Sequence, residues 1–326
     1  MRYDIRRTDV LVAGAGAAGL RAALEAARAG RRVAVLSKGE ATASCAILGF
    51  NRSDGLLFDD TMRSGAFLSD PALVRLLSEE AGKALEDMEA LGVPFDRDSG
   101  VALHLLQPLG CSLPRLAHSA NETGLRCMRR MREALDGLGV EFVENALCAD
   151  ALIRRGQAAG AIAFDTRTGA PTIWSAGAMV LATGGVRLTP EGTYPADATG
   201  DGYGIALRAG ARLRDMEFMQ FEPCRCVHPR PLGISTTLLA KGGTLWNGRG
   251  ERFVLAQGMR EGEASKAELA RLIALEILQG RGTEHGGVWL DLTGLPEEEI
   301  RLRHEIYWTR FLRAGLPLEQ VLLPGG

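Results

Sequence analysis

Apolar residues first gather at Asp9–Ala13 in the run DVLVA, and a glycine-rich GAGAAG and the segment LRAALEAARAG follow directly. Alanine and leucine favour helix in that segment until Gly30 stops it, and RRVAVLSK then has the apolar content of a second strand. Strand, glycine turn, helix and strand in this order predict the opening βαβ unit of a doubly wound α/β sheet. From Ser69 the pattern predicts a long helix, with Asp70 as N-cap, Pro71 at the first helical position and Gly92 just past the end. Leu73, Leu76, Leu77, Leu85, Met88 and Leu91 are expected to form its buried stripe. A second helix is expected over 122–138, and short strands over 140–143, 159–164 and 179–182, the last returning to the parent sheet. Beyond Pro223 the texture changes: CRCVHPRPLG reads as loop and KGGTLWNGRGERF as strands joined by tight turns. A helix over 266–278, a strand GVWLDL and a charged helix over 297–313 complete the pattern. The fold class is therefore α/β, a doubly wound Rossmann-like domain over 1–225 joined to a second, α+β domain over 226–326.

Composition narrows the function classes. Lys+Arg is 38 and Asp+Glu 40, a formal net charge of −2, which disfavours a nucleic-acid binder or a polybasic membrane surface. No apolar stretch is long enough to span a bilayer, and the amino-terminal segment lacks a signal-peptide core. Six cysteines (45, 111, 127, 148, 224 and 226) without a secreted-type framework point to reduced thiols and a cytoplasmic setting.

The chemistry begins at Gly14-Ala15-Gly16-Ala17-Ala18-Gly19. Gly14 permits the tight turn, Gly16 lets backbone approach a pyrophosphate, and Gly19 lets the helix pack closely on its strand. The helix start then offers N–H groups and the positive end of its dipole to phosphates. The acidic residue expected about twenty positions further on is absent, because the second strand ends at Ser37-Lys38. Ser37 can hydrogen-bond a sugar hydroxyl, whereas Lys38 suits a 2′-phosphate, so the glycine motif by itself leaves FAD and NADP both open. Two later segments favour FAD. MVLATGG ends a strand in the small residues Ala182, Thr183 and Gly184, and ATGDGYGIALRAGA places Asp201 at a helix start.

With these segments in hand, the chain resembles the flavoprotein subunits of succinate dehydrogenase and fumarate reductase, together with L-aspartate oxidase. The resemblance runs through GAGAAGLRAAL, VAVLSK, LLFDDTMRSGAFLSDPALV, LGVPFDR, VLATGG, ATGDGYGIALRAGARLRDMEFMQFEP, GGTLWNGRGERF and VWLDLTGLP. It implies a FAD-binding domain with an inserted capping domain, and substrate held between cap and flavin ring. By the same resemblance Gly14 to Gly19, Ser37, Lys38, the stretch 42–51 (Thr42, Ala43, Ser44, Cys45, Leu48 and Gly49 among it), Cys148 and Asp201 would contact FAD. Thr42 stands where some relatives carry a flavin-linked histidine, which implies noncovalent FAD.

The departures bear on substrate. A QFHPT segment of dicarboxylate-handling relatives reads QFEPC here, so Glu222 replaces a histidine and, when ionised, repels a carboxylate. A Thr-Glu pair upstream of a double glycine becomes Ser235-Thr236, a nearby arginine becomes Leu239, and the proton-donating arginine of fumarate reduction aligns with Lys266. Succinate and fumarate are thus disfavoured. The chain also stops at VLLPGG, before the part in which relatives return to the FAD domain; it is a fragment, or is completed by a partner chain, or manages without.

Three catalytic candidates emerge. Glu222 is a general acid or base, or a selector for a cationic group; its alternative is pairing with an arginine. Lys266 is a proton donor or anion anchor, or else a solvated first-turn residue. Arg252 resembles a family element of the cap, with salt-bridging to Glu251 as the alternative. Cys224, Cys226 and His228 look like a metal cluster, but residues two apart in a strand lie about 6.6 Å apart, too far for tetrahedral ligands, so no metal is assigned. His118 is read as structural, and His104, His285 and His304 without chemical spacing. The expectation is a FAD-dependent oxidoreductase moving a hydride between a small organic substrate and noncovalent FAD, with an electron-transfer partner or completing chain. The rival is a noncatalytic flavin-binding protein that needs a partner chain.

Overall fold

A computed structural model describes residues 4–39, 47–120, 122–188, 197–229, 231–303, 305–316 and 321–324. The chain divides into two compact units, one of Met1–Ile47, Ala90–Val93 and Gly124–Phe218, the other of Leu48–Glu89, Pro94–Thr123 and Met219–Gly326.

The first unit is built on a six-stranded sheet in the order Glu141–Val143, Val33–Leu36, Asp4–Ala13, Pro171–Leu181, Gln157–Asp165, Ala146–Arg154. The first four of these run parallel, and the last two are added by antiparallel pairings, Gln157–Asp165 with Pro171–Leu181 and Ala146–Arg154 with Gln157–Asp165. The strand expected at 179–182 is only the end of Pro171–Leu181, which pairs along the first strand from Asp4 opposite Thr172 to Ala13 opposite Leu181. Helix Ala17–Arg28 buries Gly19, Leu20, Ala23 and Leu24, one stripe at helical spacing. Small residues (Ala13, Ala34, Ala161, Ala163) surround the buried Trp174 and Leu11 in the core, so the large ring fills what the alanines leave.

In the second unit, Thr244–Trp246, Gly287–Asp291 and Val321–Pro324 form an antiparallel sheet. Its core includes Leu245, Val288, Leu290, Phe253 and Phe311 together with Leu269, Leu272 and Ile273 of helix Lys266–Leu278. That helix starts where the sequence predicts, because Ser265 and Glu268 close a reciprocal capping box on its first turn. The charged carboxyl-terminal helix is two helices, Glu297–Arg303 and Glu305–Ala314.

Helix Pro71–Ala90 begins as expected, with the Asp70 carboxylate accepting the Ala72 N–H at 2.9 Å. Its buried stripe differs. Val74, Ala81, Leu85 and Met88 point inward, while Leu73, Leu76 and Leu77 are 62%, 55% and 53% exposed. Residues at i, i+7, i+11 and i+14 share one helical face, and the three leucines fall on the adjoining one; side-chain size suggested a register that the geometry does not use. Replacing Leu85 with Ala is expected to cost about 2–5 kcal/mol in urea unfolding. Leu77→Ala should cost less than about 0.5 kcal/mol.

Candidate functional site

The first unit assembles a cradle from four separate stretches of chain. Gly14 turns the chain out of the first strand with φ +112°, and a Cβ there would collide with the Ala182 carbonyl. A Cβ on Gly19 would strike the Gly14 carbonyl, so both glycines are required by close packing. At Gly16, by contrast, nothing lies within 4 Å of where a Cβ would sit. Gly16 is also the N-cap of helix Ala17–Arg28, and among the described residues no side chain caps the free N–H groups of the first turn. An open glycine at an uncapped helix start fits the pyrophosphate of a dinucleotide.

Around this turn the loop after Pro171–Leu181 is fixed by the Ala182 N–H donating to the Ala13 carbonyl at 2.8 Å. Thr183 meets Gly202, where a Cβ would collide with its hydroxyl. Lys38 Nζ donates to Asp201 Oδ2 and to Thr199 Oγ1, each at 2.7 Å, and Thr199 Oγ1 donates to Asp201 Oδ2 at 2.8 Å. Burial raises the Asp201 pKa, but the bonds from Lys38 and Thr199 outweigh it and hold the carboxyl below its usual value. The ammonium that suited a 2′-phosphate is thus engaged by a carboxylate 163 residues away. Cys148 lies buried in strand Ala146–Arg154; burial, helped by Asp150 and Asp201, pushes its thiol up to about 12, so it is neutral. Gly14, Gly19, Lys38, Ala182, Thr183 and Asp201 are therefore brought together by direct contacts, and Ala15 to Ala18 with Ser37 flank them in the chain. Thr42, Ala43, Ser44 and Cys45 lie outside the described residues. Leu48 and Gly49 belong to the second unit, where the Leu48 carbonyl accepts the Thr123 hydroxyl at 2.9 Å.

The second unit brings Glu222 and Lys266 together: Lys266 Nζ donates to Glu222 Oε2 at 2.8 Å. Glu222 Oε1 is buried and has no hydrogen-bond partner among the described residues. Tyr307 packs nearby, its phenol raised first by burial and also by the charge of Glu222, with Ser235 as its hydrogen-bond partner. Cys224 is fully buried beside them, and burial pushes its thiol up strongly. Leu239, which stands for a relative's arginine, is buried in the apolar core. Beside the pair opens a cleft of about 330 Å³ lined by Met219, Gln220, Phe221, Ala267, Ala270, Arg271 and Ala274.

Arg252 has a different setting. Its Nη2 lies 3.2 Å from Oε2 of the buried Glu261, whose Oε1 also accepts the Leu245 N–H at 3.0 Å. Its carboxylate partner is thus Glu261, while Glu251 accepts from Asn247. Cys226 Sγ donates to the His228 carbonyl at 2.8 Å, and the His228 ring stacks on His285 at 3.9 Å. Among the described residues, no group of three or more His, Cys, Asp or Glu side chains is disposed to hold a metal ion.

Tyr307 and Thr199 were missed by sequence reasoning. Thr199 lies inside the ATGDG segment, where its hydroxyl was a readable signal; Tyr307, in a charged helix, offered none. Also missed is a buried cluster in which Arg115 Nε donates to Asp54 at 2.8 Å and Nη2 lies 2.6 Å from Asp60. His118, read as structural, is buried, and its ring meets His104 at 2.7 Å.

The family model described as "FAD binding domain" matches residues 9–314. The chain belongs to this family, and FAD is its cofactor. It is 33% identical to a fumarate reductase (CoM/CoB) subunit of Methanothermobacter marburgensis over 98% of this chain and 61% of that protein. It is 36% identical to "L-aspartate oxidase" of Nostoc sp. over 90% of this chain and 53% of that protein. A solved structure, "Mycobacterium smegmatis Sdh1 in complex with UQ1", is 31% identical with a TM-score of 0.78, over 98% of this chain and 59% of that one. The chain thus spans about half to three fifths of the length of these relatives. No helix among the described residues is long and apolar enough to cross a membrane.

Because a Gly16 Cβ would enter open space, Gly16→Ala should melt at nearly the wild-type temperature yet bind FAD at least about tenfold more weakly by fluorescence titration. Acid should act on the Asp60 cluster. Burial raises the Asp60 pKa, but hydrogen bonds from Ser112 and Arg115 win and lower it from 3.8 to about 2. That stability is present above the unfolded value and lost as pH falls from about 4 toward 2, on the order of 2 kcal/mol. Asp60→Asn should flatten the melting temperature over this window.

Proposed function

We propose that the chain is part of a FAD-dependent oxidoreductase, with 1–225 as its FAD-binding domain and 226–326 as its capping domain. FAD is held noncovalently by Gly14 to Gly19, Ser37, Lys38, Cys148, Ala182 to Gly184 and Asp201, together with the stretch that contains Thr42 to Gly49. When bound, it supplies a two-electron hydride acceptor or donor. The substrate is an organic molecule bearing a carboxylate, and succinate and fumarate are disfavoured. Support comes from the names of the relatives, fumarate reductase and L-aspartate oxidase. Cys111, Cys148 and Cys224 are free thiols, which supports a cytoplasmic setting.

The observation that carries this reading is the Lys266–Glu222 pair. An ammonium and a carboxylate at 2.8 Å can hold a proton at Nζ or pass it to Oε2, which gives the site an acid and a base of its own. Their mutual neutralisation also removes the positive field that a dicarboxylate would need. Arg252 stays a candidate for substrate contact through its Nε, which is buried and has no hydrogen-bond partner among the described residues.

A second reading, a flavin-binding chain that needs a completing or electron-transfer partner for turnover, is favoured by one observation. Met216, Phe218, Met219 and Phe221 are each more than half exposed, an apolar run that a further segment or chain would cover. Anaerobic mixing of the FAD-loaded chain with a panel of carboxylate-bearing compounds separates the two. The oxidoreductase reading expects bleaching of the flavin by a panel member other than succinate, slowed about 10²- to 10⁴-fold by Lys266→Met with FAD affinity unchanged. Bound FAD that no compound reduces supports the second reading, and reduction fastest with succinate contradicts the substrate assignment.

A further inference from the structure

Resting on the oxidoreductase reading, we propose that the Glu222–Lys266 pair and the neighbouring cleft recognise a zwitterionic amino acid with one carboxylate and an apolar side chain. Three observations converge on this class. Glu222 spends Oε2 on Lys266 and leaves Oε1 buried with no partner among the described residues. A buried carboxylate oxygen without a donor is costly, and a ligand N–H satisfies it. Lys266 makes one hydrogen bond among the described residues, to Glu222, and its side chain remains one-third exposed, so two of its N–H directions are open to an acceptor.

The pair therefore offers a donor and an acceptor side by side, with no net charge. A zwitterion presents the complement, an ammonium to Oε1 and a carboxylate to Nζ, and each contact is charge-assisted. A dianion presents two acceptors and would set one of them against Glu222. The third observation is the cleft. Met219 and Phe221 lie three and one positions before Glu222, and Ala267, Ala270, Arg271 and Ala274 follow Lys266 along one helix face, so the mainly apolar cleft of about 330 Å³ is lined by the chain neighbours of the charged pair. That volume is ample for an apolar side chain, and the alanines keep the helix side of it open.

Calorimetric titration of the FAD-loaded chain with norvaline, pentanoate, pentylamine and succinate tests this. Norvaline is expected to bind about 10- to 100-fold more tightly than pentanoate or pentylamine, each of which lacks one charged group, and succinate more weakly than norvaline. Glu222→Gln should abolish the advantage of norvaline over pentanoate. Ala274→Leu, which fills the cleft, should weaken norvaline at least about tenfold and leave glycine within a factor of about 3. Succinate binding as tightly as norvaline, or norvaline no better than pentanoate, overturns the proposal. Should Glu222→Gln fail to fold, the wild-type ligand order decides alone. A chain that takes up no FAD contradicts the proposed function, whereas a loaded chain with the wrong ligand order contradicts only this inference.

Discussion

The close approach of the first strand–helix turn to the loop that ends Pro171–Leu181 is the constraint on which the first unit rests. Gly14 lies against the Ala182 carbonyl so tightly that no side chain fits, and Gly19 lies equally close to Gly14. This contact needs the parallel pairing of the first strand with Pro171–Leu181, which runs from Asp4 to Ala13 in unbroken direction and delivers both loops to the same end of the sheet. Once the loops are there, the start of helix Ala17–Arg28 has uncapped N–H groups and an open face at Gly16. The same end gathers Lys38, Thr199 and Asp201, whose mutual bonds fix a cation and an anion beside the turn. Backbone donors and the helix dipole are thus what this end offers to a phosphate, because Lys38 is largely spent on Asp201.

The second unit uses charge differently. Its buried carboxylates are matched one by one: Glu261 with Arg252 and the Leu245 N–H, Glu276 with Arg281 and Asn247, and Asp60 with Arg115 and Ser112. Such pairings answer the cost of burying an ion and orient the loops that carry them. Against this background Glu222 is unusual, because one of its oxygens is buried and has no donor among the described residues.

Local signals in the sequence carried much of the fold and part of the site. The glycine turn, the start of the helix at Lys266 and the Asp70-Pro71 helix start are all short-range features, and each appears where the residues placed it. Features that depend on tertiary register were not legible. Leu85 and Met88 are buried as expected, but Leu73, Leu76 and Leu77 outweigh Val74 and Ala81 in hydrophobic bulk, so counting apolar residues picked the wrong positions in the first half of that helix. Lys38 had no visible partner, because Asp201 is distant in sequence and joins it only when both loops reach one end of the sheet. His104 and His118, separated by thirteen residues, meet because Leu105–Leu106 and Leu116–Ala117 pair as antiparallel strands between them. Tyr307 could not have been singled out from a helix dominated by charge.

We propose that the cradle at Gly14 to Gly19 holds one flavin adenine dinucleotide without a covalent bond. Acid denaturation of the FAD-saturated, desalted chain, followed by chromatographic identification of what it releases, tests this most directly. Intact FAD is expected in the supernatant at about one equivalent per chain, with a colourless pellet. Flavin retained in the pellet, a nicotinamide dinucleotide in its place, or no nucleotide at all would contradict it.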